Sequence, residues 1–296
     1  MRIGICGTGN MGSAMGERLI KEGRKLSVWN RTYERTHDLL EQGAAFATNP
    51  AALAAGCDVV ISMVIDDDAI ASVYEGEAGL LSADLGGTLI IEMSTIRPDT
   101  VVRIAKGVAE AGGRFLECPV GGSVQPALNG QLLGLAGGEA EVVEAARPVL
   151  EQLCRRLDHV GPVGAGAAMK LAVNLPLVVY WEAVGEALAI ADKAGIDLVQ
   201  AADILGDTSG TIKVAPGRLP RIVDVVKGER PDGAAFSMAG MAKDLRLMSS
   251  VAAGQGIAAP VTDAASASYE AAVADGWGER EGVLLAAWRV IQTSDD

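Results

Sequence analysis

Hydrophobic positions follow two alternating periods over roughly the first half of the chain. Residues 2 to about 160 carry short β-rich apolar runs separated by segments with helical spacing, which is typical of βαβ units around a parallel sheet. The predicted strands are residues 2–6, 25–29, 58–63, 88–92, 114–117, 132–136 and 155–160. The predicted helices lie near 11–22, 32–42, 67–75, 98–111 and 139–153. This half is therefore expected to be an α/β domain.

The strand signals stop at Gly164, and one long helix is predicted after it. The segment to about Lys193 is rich in Ala, Leu, Met and Glu, and the next helix stop signal is Gly195. At 1.5 Å per residue, about 30 residues span roughly 45 Å, so this helix is expected to join two domains or run through a subunit interface. Pro176 lies inside it and predicts a kink. Further helices are predicted near 197–206, 216–226, 238–254, 260–274 and 278–292.

The glycine-rich segment at residues 161–166 marks the predicted domain boundary. The chain has 296 residues, which suits about two domains. The pattern therefore predicts an α/β domain at residues 1–162 and an all-α domain at residues 163–296, joined by the long helix.

Composition and charge exclude several classes of partner. The net charge is −13, whereas nucleic-acid binding needs a basic surface to neutralise phosphates, so no nucleic-acid partner is expected. No uncharged apolar run reaches the 18 or so residues of a membrane span, because Lys170 and Glu182 interrupt the longest candidate, so no membrane partner is expected.

The four cysteines form no CxxC pair, which favours reduced thiols and a cytoplasmic location. With only His37 and His159 present, no metal site is predicted.

A glycine motif opens the first predicted helix directly after the first strand. The sequence Gly7-Thr8-Gly9-Asn10-Met11-Gly12 fits the GxGxxG pattern in the strand-to-helix context that the pattern needs. Gly7 suits the tight turn, Gly9 leaves room for a pyrophosphate, and Gly12 lets helix and strand approach. The backbone N–H groups at the helix start, including those of Asn10 and Met11, are then available to a diphosphate. The first domain is thus predicted to be a Rossmann dinucleotide-binding domain.

The end of the second strand indicates which dinucleotide binds. An acidic residue here accepts hydrogen bonds from the ribose hydroxyls of NAD, but the sequence reads Asn30-Arg31-Thr32. Asn30 brings no charge that would repel a 2′-phosphate, Arg31 offers charge-assisted hydrogen bonds, and Thr32 adds a hydroxyl. NADP(H) is therefore the predicted cofactor. The alternative is that Arg31 is an ordinary solvated loop cation.

Residues that follow the next two strands are expected beside the cofactor. Ligands of open α/β sheets bind outside the carboxyl ends of the strands, where Met63 and Val64 lie. Ser94 and Thr95 occupy the equivalent position one strand later, and their hydroxyls either contact nicotinamide ribose and substrate or only cap the next helix. The aspartates at 66–68 more simply cap a helix than bind a metal.

Lys170 is the strongest candidate for chemistry. It is the only charged residue between Asp158 and Glu182, on a helix of small and apolar residues. Asn174 follows four residues later, so both side chains share one helix face and can converge on a small polar ligand. Burial suits a lysine to proton exchange with a hydroxyl or carbonyl near neutral pH. The alternative is a lysine that snorkels from the rim of a core helix.

The motifs together resemble one known family, the β-hydroxyacid dehydrogenases, which include 3-hydroxyisobutyrate dehydrogenases and glyoxylate/succinic semialdehyde reductases. The segments that carry the resemblance are Gly7 to Gly12, Ser94-Thr95-x-x-Pro98, Glu117-Cys118-Pro119-Val120-Gly121-Gly122-Ser123, Lys170-x-x-x-Asn174 and Lys243-Asp244. The resemblance implies that Lys170 is the general acid/base and that Asn174 supports it. It also implies that Gly121, Gly122 and Ser123 hold a substrate carboxylate, and that Thr95 and Lys243 lie at the cofactor.

Two departures from the family pattern bear on the substrate. Gly121 replaces the serine of the usual Pro-Val-Ser-Gly turn, which removes a hydroxyl where the acid group is expected. Val173 stands where the related 6-phosphogluconate dehydrogenases have histidine, which disfavours that branch. The segment from Ser123 to Leu132 is instead similar to the glyoxylate and succinic semialdehyde reductases.

The sequence therefore predicts an NADP(H)-dependent oxidoreductase that interconverts a short hydroxy acid, such as a 3-hydroxy acid, and its semialdehyde or keto acid. Two alternatives remain, an NADPH-dependent imine reductase, which Gly121 favours, and a dinucleotide-sensing module without activity, which the Lys170 and Asn174 pair disfavours. Cys118 is interpreted as an inert core thiol. The small residues of the long helix predict a homo-oligomer.

Overall fold

The computed structural model describes residues 1–231 and 233–294. The chain forms two compact units, residues 1–171 and 172–296. The predicted domain limits at 162 and 163 remain a prediction, and residues 232, 295 and 296 of the predicted second domain lie outside the described residues.

The first unit contains a nine-stranded sheet in the order β3-β2-β1-β4-β5-β6-β8-β7, with β9 paired to β8. The strands are β1 Arg2–Cys6, β2 Lys25–Trp29, β3 Ala45–Phe46, β4 Val59–Ser62, β5 Leu89–Glu92, β6 Arg114–Glu117, β7 Val120–Gly121, β8 Leu132–Gly137 and β9 Cys154–Gly161. All pairs from β3 across to β6 are parallel, as is β8 with β9, whereas β8 runs antiparallel to β6 and β7. This parallel-dominated sheet confirms the predicted Rossmann-like domain.

The helices of the first unit cover both faces of the sheet. They are α1 Asn10–Lys21, α2 His37–Glu41, α3 Pro50–Gly56, α4 Asp67–Glu75, α5 Pro98–Glu110, α6 Val124–Leu128 and α7 Ala140–Leu153. One apolar cluster joins Ile3 and Ile5 of β1 to residues of α1 and α7. The opposite cluster joins Val60 and Ile90 to residues of α3, α4 and α5. Strands that are buried on both faces read as continuous apolar runs, which is why their positions were predictable.

The register of the parallel strands aligns their carboxyl ends. Cys6 lies opposite Trp29 on one side and Ser62 on the other. Ser62 lies opposite Glu92, and Glu92 lies opposite Glu117. The loops that follow these strands therefore leave the same edge of the sheet, where α/β proteins bind their ligands.

Four short strands and α-helices of the first unit and a 3₁₀ turn at Leu80–Ser82 were not predicted, and one predicted helix was wrong in part. The missed elements are β3, α3, β7 and α6, of which β3 and β7 have two residues each. Elements this short carry too few periodic positions to show in the sequence. The helix predicted at 32–42 is a 3₁₀ turn, Tyr33–Thr36, followed by the short α2.

The predicted long helix is confirmed as α8, Ala165–Lys193, which begins in the first unit and ends in the second. It continues as one helix through Pro176, and the predicted kink stays a prediction. Its length and apolar composition would suffice to cross a membrane, although 44% of its most apolar window is buried. A core helix of a soluble protein can also be this long and apolar. The sequence analysis did not predict that α8 would be apolar enough, because Lys170 and Glu182 interrupt the run.

The second unit is helical, as predicted. After α8 come α9 Leu198–Gly206, α10 Leu219–Val226, α11 Met238–Gly254, α12 Pro260–Ala272 and α13 Leu285–Ser294. The predicted helix at 278–292 was wrong at its start. Backbone hydrogen bonds instead join the segment around Met238 to Gly278, Arg280 and Gly282. Because these residues are paired outside a helix, α13 begins only at Leu285.

Candidate active site

Close approach of two backbone segments shapes the glycine turn between β1 and α1. Gly7 has φ +102°, and its N–H donates to the Trp29 carbonyl over 2.8 Å. A Cβ at Gly7 would lie 2.3 Å from the Met63 carbonyl oxygen, and one at Gly12 would lie 1.9 Å from the Gly7 carbonyl oxygen. Only glycine fits at both positions, as the sequence motif predicts.

The N-terminus of α1 is open toward a ligand. Gly9 occupies the N-cap position, no side chain caps the helix there, and a Cβ built on Gly9 meets no atom within 4 Å. The helix then opens with Asn10 and Met11. Backbone N–H groups at a helix start that no side chain caps suit an anion such as the diphosphate of a dinucleotide. These residues therefore fit a nicotinamide dinucleotide.

Asn30 braces this turn from the end of β2. Its Oδ1 accepts a hydrogen bond from the Thr8 N–H over 3.0 Å, and its Nδ2 donates to the Thr32 carbonyl over 2.9 Å. Both ends of the amide are thus used inside the protein. Arg31 and Thr32 are exposed beside it, as residues that meet a ribose phosphate would be.

A buried hydrogen-bond chain connects the ends of β4 and β5. The Val64 N–H donates to Ser94 Oγ over 2.8 Å, and the Ser94 N–H donates to Glu92 Oε1 over 2.7 Å. The Tyr74 hydroxyl donates to Glu92 Oε2 over 2.9 Å. Burial raises the pKa of Glu92, and the hydrogen bonds that it accepts oppose the rise. Ser94 is only 2% exposed, so the structure places it as a link between two loops, and its predicted contact with substrate stays a prediction.

Three other residues predicted beside the cofactor, Met63, Val64 and Thr95, follow β4 and β5. Met63, Val64 and Thr95 are half-buried, and the Met63 N–H donates to the Cys6 carbonyl over 2.9 Å. Met63 and Val64 thereby follow β4 at the level of the glycine turn, and a Cβ at Gly7 would lie 3.2 Å from Val64 Cγ1.

The segment predicted to hold a carboxylate follows β6. Gly121 pairs with Leu133 in the antiparallel β7–β8 ladder. Gly122 is exposed with φ +127°, a conformation that a residue with a side chain rarely adopts. Ser123 stands at the N-cap of α6 but its side chain makes no capping hydrogen bond. The Ser123 hydroxyl is therefore not committed to the helix that it begins.

Lys170 and Asn174 are both buried on α8, with 8% and 7% exposure. They lie four residues apart and so share one face of the helix. The first turn of α8 is held by Glu117, whose carboxylate accepts hydrogen bonds from the backbone N–H groups of Gly164, Gly166 and Ala167. The sequence analysis named Glu117 within the segment that resembles the family but gave it no role. The signal that could have found it is a charged residue at the end of an apolar strand.

Within the second unit, Asp244 holds Asn174 and Lys243. The Asn174 Nδ2 donates to Asp244 Oδ2 over 3.1 Å, and Lys243 Nζ lies 2.8 Å from Asp244 Oδ1. Asp244 is 2% exposed and lies among buried apolar residues of α11 such as Leu245. A buried carboxylate is costly unless it is paired, so this contact fixes the amide of Asn174. The sequence motif contained Asp244 without giving it a role.

The remaining candidates have structural roles. Cys118 is buried and burial raises its pKa well above the usual value, so it does not supply a thiolate. All four cysteines are free thiols. His159 Nε2 lies 2.8 Å from the Gly138 carbonyl oxygen at a strand end. Asp66 caps α4 through the Ala69 N–H, and the described residues contain no group of three potential metal ligands.

Comparison with known proteins covers nearly the whole chain. Residues 2–161 match the family described as the NAD binding domain of 6-phosphogluconate dehydrogenase. Residues 164–287 match the family described as NAD-binding of NADP-dependent 3-hydroxyisobutyrate dehydrogenase.

Individual relatives agree with both matches. Glyoxylate/succinic semialdehyde reductase 1 of Arabidopsis thaliana is 35% identical over 94% of this chain and 95% of its own. The NAD-dependent L-serine dehydrogenase of Pseudomonas aeruginosa is 31% identical over 95% of each chain. The structure of Mycobacterium tuberculosis 3-hydroxyisobutyrate dehydrogenase with L-serine has a TM-score of 0.83 at 28% identity, covering 96% of this chain and 97% of that one. An imine reductase from Myxococcus stipitatus, at 21% identity, TM-score 0.65 and coverage of 96% and 98%, shares the fold.

Proposed function

The chain belongs to the β-hydroxyacid dehydrogenase family of NAD(P)-dependent oxidoreductases, and from that premise we propose that it is an NADP(H)-dependent reductase of short semialdehydes or keto acids. In the reverse direction it acts as a dehydrogenase of the matching hydroxy acids, in particular 3-hydroxy acids.

The observation that carries the proposal is the buried Lys170. A lysine at 8% exposure on an apolar helix is uncommon, and proton exchange with a reacting group is a reason for its burial. When bound, the nicotinamide ring supplies or accepts the hydride. Lys170 donates the proton to the carbonyl oxygen as the alcohol forms and takes it back in the reverse reaction. Asn174, held by Asp244, presents its amide from the same face of α8 and orients the reacting oxygen.

The choice of NADP(H) rests on Arg31 and Thr32. Both are exposed after β2, and neither they nor Asn30 carries the carboxylate that would bind the ribose hydroxyls of NAD and repel a 2′-phosphate. The side chain of Arg31 forms no hydrogen bond or ion pair with the part of the chain that the structure describes, so its guanidinium is available to a phosphate. Because one relative is named as NAD-dependent, this choice needs its own test.

The substrate class follows from the segment after β6 and from a relative's name. Gly122 and Ser123 offer a backbone N–H and a hydroxyl that suit a substrate carboxylate. The Arabidopsis relative is named for glyoxylate and succinic semialdehyde, both of which are small aldehyde acids. We extend that class of small-molecule substrate to this chain.

The site of action and the assembly belong to the same proposal. Four free cysteines suit a reducing compartment, and we place the protein in the cytoplasm.

Ile190 near the end of α8 is 73% exposed, and together with Ile196 and Val199 it offers apolar surface to a second copy of the chain. A solution mass above that of one chain would support the homo-oligomer.

Oxidation of NADPH in the presence of glyoxylate, succinic semialdehyde and related keto acids tests the function. We expect Lys170→Ala to reduce turnover by about 10²-fold or more, since it removes the proton donor, while NADPH affinity stays within a few-fold. Met169→Ala, at a neighbouring position of the same helix that is 43% exposed, serves as the matched control. Normal turnover in the Lys170 variant would refute the proposed role.

A second candidate is reduction of imines. Gly121 favours it, because the missing serine hydroxyl leaves a weaker cradle for an acid group and an imine substrate has no such need. NADPH oxidation that is faster with a cyclic imine than with succinic semialdehyde would decide for this alternative.

A further inference from the structure

A buried carboxylate at the end of β6 has no part in the function proposed above. Glu117 is 1% exposed. Its Oε1 accepts hydrogen bonds from the N–H groups of Gly164 and Gly166, the latter over 3.0 Å, and its Oε2 accepts from the Ala167 N–H over 2.9 Å. These donors lie 47 to 50 residues away in sequence, so the contact joins a strand of the sheet to the start of α8.

Two glycines reserve the space for this carboxylate. A Cβ on Gly137, opposite Glu117 in the β6–β8 ladder, would lie 2.3 Å from Glu117 Oε1. A Cβ on Gly166 would lie 3.0 Å from the carboxyl carbon of Glu117. Any side chain at either position would displace the carboxylate or the helix. The two glycines therefore leave room for the Glu117 side chain to reach the start of α8 from the sheet.

The same contact differs from an ordinary helix cap. Asp197 caps α9 from the adjacent position in sequence, is exposed, and accepts from the N–H of Gln200. Glu117 instead binds three backbone N–H groups at the start of α8, those of Gly164 just before the helix and of Gly166 and Ala167 in its first turn. Lys170 follows about one turn later. Because successive turns of an α-helix are hydrogen-bonded to each other, a shift of the first turn moves Lys170 by about the same distance as the turn itself.

We propose that Glu117 is a positioning residue that clamps the first turn of α8 to the sheet and thereby fixes the position of Lys170. The inference rests on the proposed function, because it concerns the delivery of the lysine that exchanges the proton. A displacement of about 1 Å at a reacting group can cost about 10²-fold in rate, so such a clamp affects catalysis more than binding.

The charge on Glu117 makes the clamp sensitive to pH. Burial raises the pKa of Glu117 to about 7, with Glu92 adding to the rise and the three backbone N–H groups opposing it. Two ionisable groups interact electrostatically with Glu117, namely Glu92 on β5 and Cys118, which follows Glu117 in sequence. The neighbouring elements also carry Arg155, Arg156, Asp158 and His159 on β9 and Lys170 on α8. A protonated carboxyl group loses acceptor capacity toward three N–H donors, so the clamp is complete only when Glu117 is ionised.

The variant Glu117→Gln tests the clamp. Glutamine has one acceptor oxygen, and its amide would direct N–H groups at the backbone donors of α8. We expect kcat to fall about tenfold or more, with KM for NADPH changed by no more than about threefold, as a displaced reacting group implies. The amide protons of Gly166 and Ala167 should exchange with solvent faster. Asp197→Asn removes a capping carboxylate from a helix without proposed site residues and should leave kcat and KM unchanged.

The pH profile separates positioning from a purely structural role. In the wild type kcat should decline as the pH falls through about 7, the pKa of Glu117, whereas in Glu117→Gln this dependence should be absent. Glu117→Asp, which keeps the charge, should retain the dependence and recover part of kcat. Wild-type kcat in Glu117→Gln, or the same pH dependence in both, would overturn the inference.

The outcomes remain distinct from failure of the proposed function. A wild-type protein that oxidises NADPH with none of the substrates would refute that function, whereas an active wild type with an unaffected Gln variant would refute only the clamp. Should Glu117→Gln fail to fold, the wild-type and Glu117→Asp profiles still decide, since absence of the dependence near pH 7 in both would overturn the inference.

Discussion

Neighbouring residues that were predicted to bind the same ligand have different roles in this site. The Asn30 amide forms hydrogen bonds with Thr8 and Thr32 inside the protein, whereas Arg31, the next residue, is exposed. Ser94 likewise turns inward and accepts from the Val64 N–H. The residues that brace the site and those available to a ligand are thus interleaved.

Arg31 is the residue at which cofactor choice is testable. We expect Arg31→Asp to shift preference toward NADH, because the carboxylate repels a 2′-phosphate and accepts hydrogen bonds from ribose hydroxyls. The ratio of kcat/KM for NADPH to that for NADH should fall about 10²-fold, which corresponds to about 3 kcal/mol. Arg155→Asp, on the exposed start of β9, makes the same charge change and should leave the ratio unaltered. An unchanged ratio in the Arg31 variant would count against the 2′-phosphate assignment.

At the scale of elements, buried carboxylates connect neighbours that the sequence keeps apart. Glu92 ends β5 and receives hydrogen bonds from Tyr74 on α4 and from the backbone of Ser94. Glu117 ends β6 and holds the start of α8. The two acids lie opposite each other in the β5–β6 register, so adjacent strand ends anchor the loop after β4 and the helix that carries Lys170.

The link between α4 and β5 depends on the Tyr74 hydroxyl. Tyr74→Phe leaves the buried Glu92 short of one donor, and we expect unfolding free energy to drop by about 1–3 kcal/mol. Urea unfolding of wild type and variant measures the difference. Tyr33→Phe, in which the side chain is 47% exposed, is the control and should change stability by less than about 0.5 kcal/mol. Equal stability of the Tyr74 variant and wild type would show that this donor is dispensable.

For the whole molecule, the raised pKa values of the buried acids Glu92 and Glu117 make stability depend on pH. Burial raises the pKa of Glu117 from 4.5 to about 7 and also raises that of Glu92, so the native state retains protons that the unfolded chain releases. Stability then declines as the pH rises from about 4.5 to about 7. The acids whose pKa is lowered, including Asp58, Asp99 and Glu144, affect stability below that window.

We therefore expect the free energy of unfolding to be larger at pH 5 than at pH 7.5. The shift at Glu117 alone accounts for up to about 3 kcal/mol, since each pKa unit corresponds to about 1.4 kcal/mol. Urea unfolding at the two pH values measures the difference, and Glu117→Gln should reduce it. A free energy that rises with pH across this interval would contradict the assignment of a raised pKa.

The sequence by itself determined the parts that rest on local pattern. Continuous apolar runs predicted β1, β4 and β5, and the glycine motif predicted the turn before α1. A segment rich in Ala, Leu, Met and Glu, with no helix stop signal before Gly195, predicted α8. All these signals lie in neighbouring positions of the chain. Lys170 and Asn174 were found for the same reason, since their spacing alone puts them on one helix face.

Only the tertiary structure decided contacts between residues distant in sequence. Strand register placed Glu117 opposite Gly137, and the position of α8 brought Gly166 within hydrogen-bond reach of Glu117. Asn30 and Ser94 form hydrogen bonds with Thr8 and Val64, which are distant from them in sequence. The backbone pairing around Met238 also delayed the start of α13 to Leu285. A polar residue's partner depends on which elements pack beside it, and that information is held by the whole fold rather than by its neighbours in the chain.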